Sequence, residues 1–288
     1  MEKFFLINKY FSWRNFSFVE SHKINYKIWG RDKRDVIVCA HASTGSSEDF
    51  EYFAKLASDR YQVIAFDFTG RGKSNWLKNK RSYNYYTYLN DAKKLLDNLC
   101  KKKRIHWLGS SMGGIVGMIL SNYYHISSLI LNDIGPFIPE NSIQKISKYM
   151  DLDPTFYSFD EVMQYCKMAY CHLGIEKEDC WLHLANSTVR FCKEGFYKLR
   201  YDPKIVFDLN AKKKRRKPLW KFWDRVKCPV LVVRGSKSKI LLVKTLFKML
   251  QKKNVDKYEI EKSGHFPYLY YEKDIVFILD WIDNNCIN

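Results

Sequence analysis

The sequence predicts an α/β fold in which helices flank a mostly parallel β-sheet. Short apolar stretches with strand character alternate with amphipathic helical stretches over residues 36–133 and again over residues 228–284. This alternation is typical of parallel sheets with crossover helices. The strand at residues 36–40 is continuously apolar, as in strands that are covered on both faces. Between residues 137 and 224 the alternation stops, which predicts an insertion into the fold.

The first elements predict an edge of the sheet that differs from its centre. Residues 16–19 and 24–29 alternate apolar and polar side chains, which indicates a half-buried antiparallel pair. The remaining predicted elements are strands at 36–40, 61–67, 105–108, 128–133, 228–235 and 257–260, and helices at 49–58, 83–100, 112–122, 242–252 and 274–284.

A tight turn joins the predicted strand at 105–108 to the predicted helix at 112–122, and it carries the pattern Gly109-x-Ser111-x-Gly113. This strand–turn–helix context holds a serine in a strained, exposed position. A side chain at Gly109 or Gly113 would collide with the neighbouring backbone. A serine hydroxyl is a poor nucleophile until a base takes its proton, so we predict that Ser111 is one half of an active site.

The insertion at residues 137–224 has a helical and aromatic pattern without a convincing buried strand. We predict that it forms a cap over the carboxyl ends of the strands, where open sheets bind ligands. The predicted domains are therefore a core of residues 1–136 and 225–288 and a cap of residues 137–224. The large apolar side chains of the cap either line an acyl pocket or fill the cap's own core. They are Phe156, Tyr157, Phe159, Met163, Tyr165, Met168, Tyr170 and Trp181.

The net charge of +18 and the isoelectric point near 9.4 raise nucleic acid or an anionic surface as partners. The densest basic run is residues 212–217, which we interpret as a solvated loop because no nucleic-acid-binding motif accompanies it. No apolar stretch approaches the roughly 20 residues of a membrane span, and the N-terminal apolar run is too short for a signal peptide. We expect a soluble, cytoplasmic protein that acts on a small molecule.

Four of the eight cysteines fall close to two histidines and raise the possibility of a zinc site. They are Cys166, Cys171, Cys180 and Cys192, with His172 and His183. Structural zinc sites usually pair ligands two to four residues apart, and this cluster does not. We therefore expect reduced, mostly buried thiols, and no metal or organic cofactor is implied.

With Ser111 on its turn, Ser263-Gly264-His265 after the last strand and a helical insertion between them, the chain resembles the α/β-hydrolase superfamily. It is most similar to a bacterial subgroup with the patterns G-[TS]-S-M-G-G, L-N-D-[VI]-G-P and Y-D-P. In this chain the three patterns are Gly109-Ser110-Ser111-Met112-Gly113-Gly114, Leu131-Asn132-Asp133-Ile134-Gly135-Pro136 and Tyr201-Asp202-Pro203. In addition, residues 70–74 match the family's G-x-G-x-S. The resemblance implies the α/β-hydrolase fold, with an eight-stranded, mostly parallel sheet and a helical cap inserted after the sixth strand.

The resemblance also implies the roles of individual residues. Ser111 would be the nucleophile and His265 the general base. The backbone amides of Met112 and Ser43 would form the oxyanion hole. Where the family has His-Gly-x, this chain has His41-Ala42-Ser43. The alanine restricts the backbone there and would shift the second amide, at a cost on the order of 3 kcal/mol if that donor is misaimed.

The acid of the expected triad is missing from its usual place. The family places it in a segment such as R-G-x-x-S-D-L-L, and here Lys239 stands at the aspartate position. An ammonium there would oppose the imidazolium that forms on His265 and would lower its pKa. Asp133, at the end of the preceding core strand, is a candidate substitute, because some superfamily members carry the acid there. The alternative is that Asp133 only braces its turn.

Three hypotheses follow. The first is a serine hydrolase that forms an acyl-enzyme on Ser111 with an ester-type substrate. The second is a hydrolase-fold protein that binds a ligand or partner without turnover, and it is motivated by Lys239 and Ala42. The third, an adaptor for nucleic acid or a membrane surface, rests on charge alone.

Overall fold

The structure, a computed structural model, describes residues 2–7, 21–31, 33–207 and 218–286. The strand predicted at residues 16–19 and the basic run at residues 212–217 lie outside these ranges. The strands are β1 (Glu2–Ile7), β2 (His22–Trp29), β3 (Asp35–Ala40), β4 (Gln62–Phe66), β5 (Arg104–Ser110), β6 (Ser128–Asn132), β7 (Thr155–Phe156), β8 (Val189–Phe191), β9 (Tyr197–Leu199), β10 (Val230–Gly235) and β11 (Val255–Ile260). The α-helices of the described ranges are α1 (Glu51–Ala57), α2 (Tyr85–Leu99), α3 (Met112–Leu120), α4 (Glu140–Met150), α5 (Phe159–Ala169), α6 (Glu178–Thr188), α7 (Trp220–Trp223), α8 (Val243–Met249) and α9 (Glu272–Cys286).

Eight strands form one sheet in the order β1-β2-β4-β3-β5-β6-β10-β11. All the pairs from β4 to β11 are parallel, whereas β2 pairs antiparallel with both β1 and β4. The mostly parallel eight-stranded sheet is thus confirmed. The two antiparallel partners of β2 are β1 at residues 2–7 and β4, whereas the sequence predicts that residues 24–29 pair with residues 16–19.

Side chains of the central strands point alternately to two apolar clusters, one on each face of the sheet. In β3, Val38 faces the cluster that contains Leu95 of α2. The next-door Ile37 faces the cluster that contains Phe53 of α1 and Ile278 of α9. All five side chains are fully buried. Coverage of both faces explains why the strand is continuously apolar.

The chain between β6 and β10 carries α4 to α7 and a separate three-stranded antiparallel sheet in the order β7-β9-β8. The sequence analysis predicted only helices here. Strands of two or three residues are too short to produce a recognisable alternation, which explains the omission. The large apolar side chains of this segment differ in exposure. Trp181 and Tyr170 are buried, whereas Tyr157 and Met168 are 76% and 73% exposed.

The cysteines of this segment differ in exposure. Cys166, Cys180 and Cys192 are buried and Cys171 is exposed. Within the described ranges, no three side chains of His, Cys, Asp or Glu converge so that they could hold a metal ion. Among all the residues that the structure describes, none of the helices combines the length and apolarity that crossing a membrane requires.

Candidate active site

Ser111 lies where β5 ends and α3 begins, and its backbone is strained. Its φ is +47° and its ψ is −108°, a backbone conformation that residues other than glycine rarely adopt. The turn is held on both sides, because Ser111 N donates to Asn132 O at 3.1 Å and Gly114 N donates to Ser111 O at 3.0 Å. The serine side chain is therefore presented at the carboxyl end of the sheet by a fixed backbone.

The two glycines of this turn are required by close backbone contacts. A Cβ at Gly109 would lie 2.4 Å from the carbonyl carbon of Gly113, and a Cβ at Gly113 would lie 2.1 Å from Ala40 O. Both distances are far below van der Waals contact. These contacts are the physical reason for the glycine spacing in the sequence.

His265 connects Ser111 to a carboxylate. Its Nε2 lies 2.9 Å from Ser111 Oγ, and its Nδ1 lies 2.8 Å from Asp133 Oδ2. Nucleophile, imidazole and acid therefore stand in hydrogen-bonded series, which is the geometry of a serine-hydrolase triad. The histidine is partly exposed and the carboxylate is fully buried.

Asp133 directly follows β6 and has a φ of +55°. Besides His265 it binds the last residue of β10 and the loop that follows, since Gly235 N donates to its Oδ1 at 3.0 Å and Ser238 Oγ donates to its Oδ2 at 2.5 Å. Sequence reasoning missed Ser238, although it immediately precedes the position where the family's acid was expected. Ser238 is buried, whereas the side chain of Lys239 is exposed.

The loop that carries His265 is attached to the segment between β6 and β10. Ser263 Oγ donates to Leu173 O at 2.9 Å, and Gly264 N donates to His172 O at 2.6 Å. A Cβ at Gly264 would lie 2.7 Å from His172 O, so the two backbones approach closely. The position of the histidine thus depends on contacts with the inserted segment as well as on β11.

His41 fixes the loop that contains Ser43. Its Nε2 accepts a hydrogen bond from Phe68 N at 2.9 Å, so its Nδ1 carries the proton and donates to Ala42 O at 2.6 Å. Complete burial lowers the pKa of His41 to about 3, which keeps the ring neutral. Gly45 N also donates to Ala42 O, at 3.2 Å. Because a trans peptide holds its N–H opposite its carbonyl, these bonds set the direction of the Ser43 amide.

The side chain of Arg71 contacts both residues that are expected to supply the oxyanion-hole amides, Met112 and Ser43. Arg71 donates from Nε to Ser43 O at 2.8 Å, and its Nη2 lies 3.8 Å from Met112 Sδ. Met112 is the first residue of α3, where amide groups lack acceptors within the helix. The loop after β3 and the amino end of α3 are therefore adjacent beside Ser111.

Comparisons with known proteins concern the family and the fold of the chain. The chain is 30% identical over 259 residues to the 3-hydroxybutyrate-oligomer hydrolase of Cupriavidus necator, covering 85% of this chain and 88% of that protein. The crystal structure of a Rickettsia typhi protein assigned as a hydrolase superposes with a TM-score of 0.92 at 34% identity, over 99% of each chain. An alpha/beta hydrolase from Novosphingobium aromaticivorans has the same fold, with a TM-score of 0.85 at 23% identity over 98% of each chain. The model of the alpha/beta hydrolase family matches residues 37–276, and the chain belongs to this family.

Proposed function

We propose that this hydrolase is a serine esterase that cleaves small ester substrates through an acyl-enzyme on Ser111. The observation that carries the proposal is the series of contacts from Ser111 Oγ to His265 Nε2 at 2.9 Å and from His265 Nδ1 to Asp133 Oδ2 at 2.8 Å. A serine with a hydrogen-bonded base, itself oriented by a buried acid, is an activated nucleophile.

In the first half of the reaction, His265 Nε2 takes the proton of Ser111 Oγ while the oxygen attacks the carbonyl carbon of the ester. The negative charge that develops on the carbonyl oxygen is stabilised by the amides of Met112 and Ser43. The tetrahedral intermediate then expels the alcohol, which receives the proton from His265. In the second half, His265 removes a proton from water, the hydroxide attacks the acyl-enzyme, and the carboxylic acid leaves as Ser111 Oγ is reprotonated.

Asp133 is proposed as the acid of this triad. Its carboxylate holds the proton-bearing Nδ1 of His265 and stabilises the imidazolium that forms in each half-reaction. The exposed side chain of Lys239 and the contact of Asp133 with His265 both favour turnover over the alternative of ligand binding without chemistry. The bonds of His41 to the Ala42 peptide likewise favour an ordered oxyanion loop despite the alanine.

The substrate class is proposed from the relative. The protein of Cupriavidus necator is a hydrolase of 3-hydroxybutyrate oligomers, in which hydroxy acids are joined by ester bonds. We infer that short hydroxy-acid esters are the substrates here as well. Residues 137–224 are proposed to act as the cap that encloses them against the core of residues 1–136 and 225–288.

The test combines labelling by a fluorophosphonate probe with hydrolysis of p-nitrophenyl butyrate. Wild type is expected to be labelled and to hydrolyse the ester, and Ser111→Ala is expected to lose both. Ser121→Ala, which changes a serine at the other end of α3, is the matched control and should retain both. Labelling of Ser111→Ala at the wild-type rate, or no labelling of wild type, would contradict the proposal.

A further inference from the structure

Arg71 is a buried cation at the junction of the core and the inserted segment. It lies in the turn after β4, between Gly70 and Gly72, whose φ values of +84° and +55° require glycine. Gly72 N donates to Arg200 O at 3.0 Å, so this turn is hydrogen-bonded to the inserted segment. Only 2% of the surface of Arg71 is exposed.

All the hydrogen-bond acceptors around the guanidinium are uncharged. Its Nε binds Ser43 O at 2.8 Å, and its Nη1 binds Thr69 O at 2.9 Å and the Tyr88 hydroxyl at 2.7 Å. Its Nη2, which has two N–H groups, reaches only Met112 Sδ at 3.8 Å. Sulfur is a weak acceptor, so this end of the guanidinium, which faces the residue after Ser111, lacks a strong partner.

No carboxylate among the described residues forms an ion pair with Arg71. The buried carboxylates of Asp67 and Asp202 accept hydrogen bonds from groups other than Arg71. Asp67 accepts bonds from Asn25 Nδ2, Ser47 N and Lys73 N. Asp202 accepts bonds from the Tyr83 hydroxyl and Lys204 N. The guanidinium also lies over the Tyr88 ring, 4.8 Å from its centre. This cation–π contact and the neutral acceptors offset only part of the desolvation of the cation, because none of these partners carries an opposite charge.

Tyr201 adds a second unused donor at the same place. It forms an antiparallel β-bridge with Arg71, which puts the two side chains on one side of the bridge. Its hydroxyl is buried and has no hydrogen-bond partner within the described ranges. The unpartnered hydroxyl and the Nη2 group, whose only acceptor is a sulfur atom, together offer donors that suit an anionic oxygen ligand.

We propose that Arg71 Nη2 and the Tyr201 hydroxyl bind a carboxylate of the ester substrate, so that the enzyme prefers esters of hydroxy acids with a free carboxylate close to the scissile bond. This inference rests on the proposed esterase function. The guanidinium contacts Ser43 O and Met112 Sδ, in the two residues proposed to supply the oxyanion amides, and on this proposal a carboxylate bound to it is close to the ester carbonyl that Ser111 attacks. Its charge beside the developing oxyanion would be unfavourable without the cation, and Arg71 offsets that repulsion.

The experiment measures binding in the Ser111→Ala background, where turnover cannot interfere. The probes are the linear dimer of 3-hydroxybutyrate and its terminal carboxamide, which has nearly the same shape without the charge. Titration calorimetry is expected to give a Kd about tenfold or more lower for the acid than for the amide, as charge-assisted hydrogen bonds imply. Adding Arg71→Gln should bring the ratio close to one, and adding Tyr201→Phe should reduce it severalfold.

Two exposed residues give matched controls, Arg225→Gln and Tyr157→Phe, and both should keep the preference of the parent. If Arg71→Gln fails to fold, Tyr201→Phe decides the question, because the hydroxyl it removes has no described partner whose loss would disturb the structure. Equal binding of acid and amide by the parent, weak binding of both, or a ratio unchanged in Tyr201→Phe and Arg71→Gln would overturn the proposal. Failure of the esterase proposal is seen separately, as absence of fluorophosphonate labelling in wild type.

Discussion

Ser238 donates a hydrogen bond of 2.5 Å to Asp133 Oδ2, the same carboxylate oxygen that lies 2.8 Å from His265 Nδ1. The serine hydroxyl in turn accepts bonds from Ile240 N and Leu241 N, each at 3.2 Å. Ser238 therefore has a fixed orientation, and it fixes the carboxylate that contacts His265. The loop that lacks the expected acid instead holds the acid supplied by the neighbouring strand.

Replacing Ser238 by alanine should lower kcat while leaving KM nearly unchanged. The bond to a charged oxygen contributes about 1.5–3 kcal/mol, so kcat for p-nitrophenyl butyrate is expected to fall by about tenfold to a hundredfold. Ser238→Thr keeps the hydroxyl and should recover part of the loss. Ser236→Ala in the same loop is the control, and a kcat equal to that of wild type in Ser238→Ala would refute this role.

Asp133→Asn should reduce kcat by about 10⁴ while the fold is retained, because an amide does not stabilise the imidazolium and favours the wrong tautomer of His265. Lys239→Asp should leave activity close to wild type, because the side chain at 239 is exposed and Asp133 contacts the imidazole. Kinetics with p-nitrophenyl butyrate measure both variants. A gain of activity in Lys239→Asp, or normal activity in Asp133→Asn, would show that the acid acts from the loop instead.

The fold and the turn at Ser111 were predictable because their signals are local. Gly109 and Gly113 are demanded by contacts within a few residues of the turn and with β3, so their spacing in the sequence carries the geometry. The alternation of strands and helices likewise depends on burial that each segment displays by itself. His265 could be predicted as the base because it lies in the loop after the last strand, β11.

The surroundings of Asp133 depend on distant segments and could not be predicted. Parallel pairing aligns Asn132 of β6 with Val233 of β10, and the next residue, Asp133, donates from its N to Val233 O at 2.7 Å. This register brings Asp133 to Gly235 and Ser238, more than 100 positions away in the chain. The sequence alone left open whether Asp133 serves His265 or its own turn. In the structure its carboxylate contacts His265 and, across the sheet, Gly235 and Ser238.

His41 should affect turnover through the Ala42 peptide. His41→Asn keeps a donor near the Nδ1 position, whereas His41→Gln keeps an acceptor near the Nε2 position for Phe68 N. If the bond to Ala42 O aims the Ser43 amide, His41→Gln is expected to lose about a hundredfold in kcat, as for a misplaced oxyanion donor, and His41→Asn should lose less. Steady-state kinetics of p-nitrophenyl butyrate hydrolysis compare them, and equal losses in the two variants would argue against a specific role of the Ala42 contact.

His106 should make the free energy of unfolding depend on pH. Burial lowers the pKa of His106 to about 4, while the unfolded chain has the ordinary value of 6.5. Between these two values the unfolded state binds more protons than the folded state, so stability is lost as pH falls from 7 towards 4. The contribution of this one group between pH 7 and pH 5 is about 2 kcal/mol.

The measurement is urea unfolding of wild type and His106→Leu at pH 7 and pH 5. The variant is expected to be less stable than wild type at pH 7, because Ser128 Oγ loses His106 Nδ1, its partner at 2.8 Å. That loss is independent of pH, whereas removal of the imidazole should make the decrease in unfolding free energy between pH 7 and pH 5 smaller than in wild type. His41, whose pKa is lowered to about 3, continues to contribute to the remaining decrease. An identical decrease in both proteins would mean that His106 is protonated equally in the folded and unfolded chains.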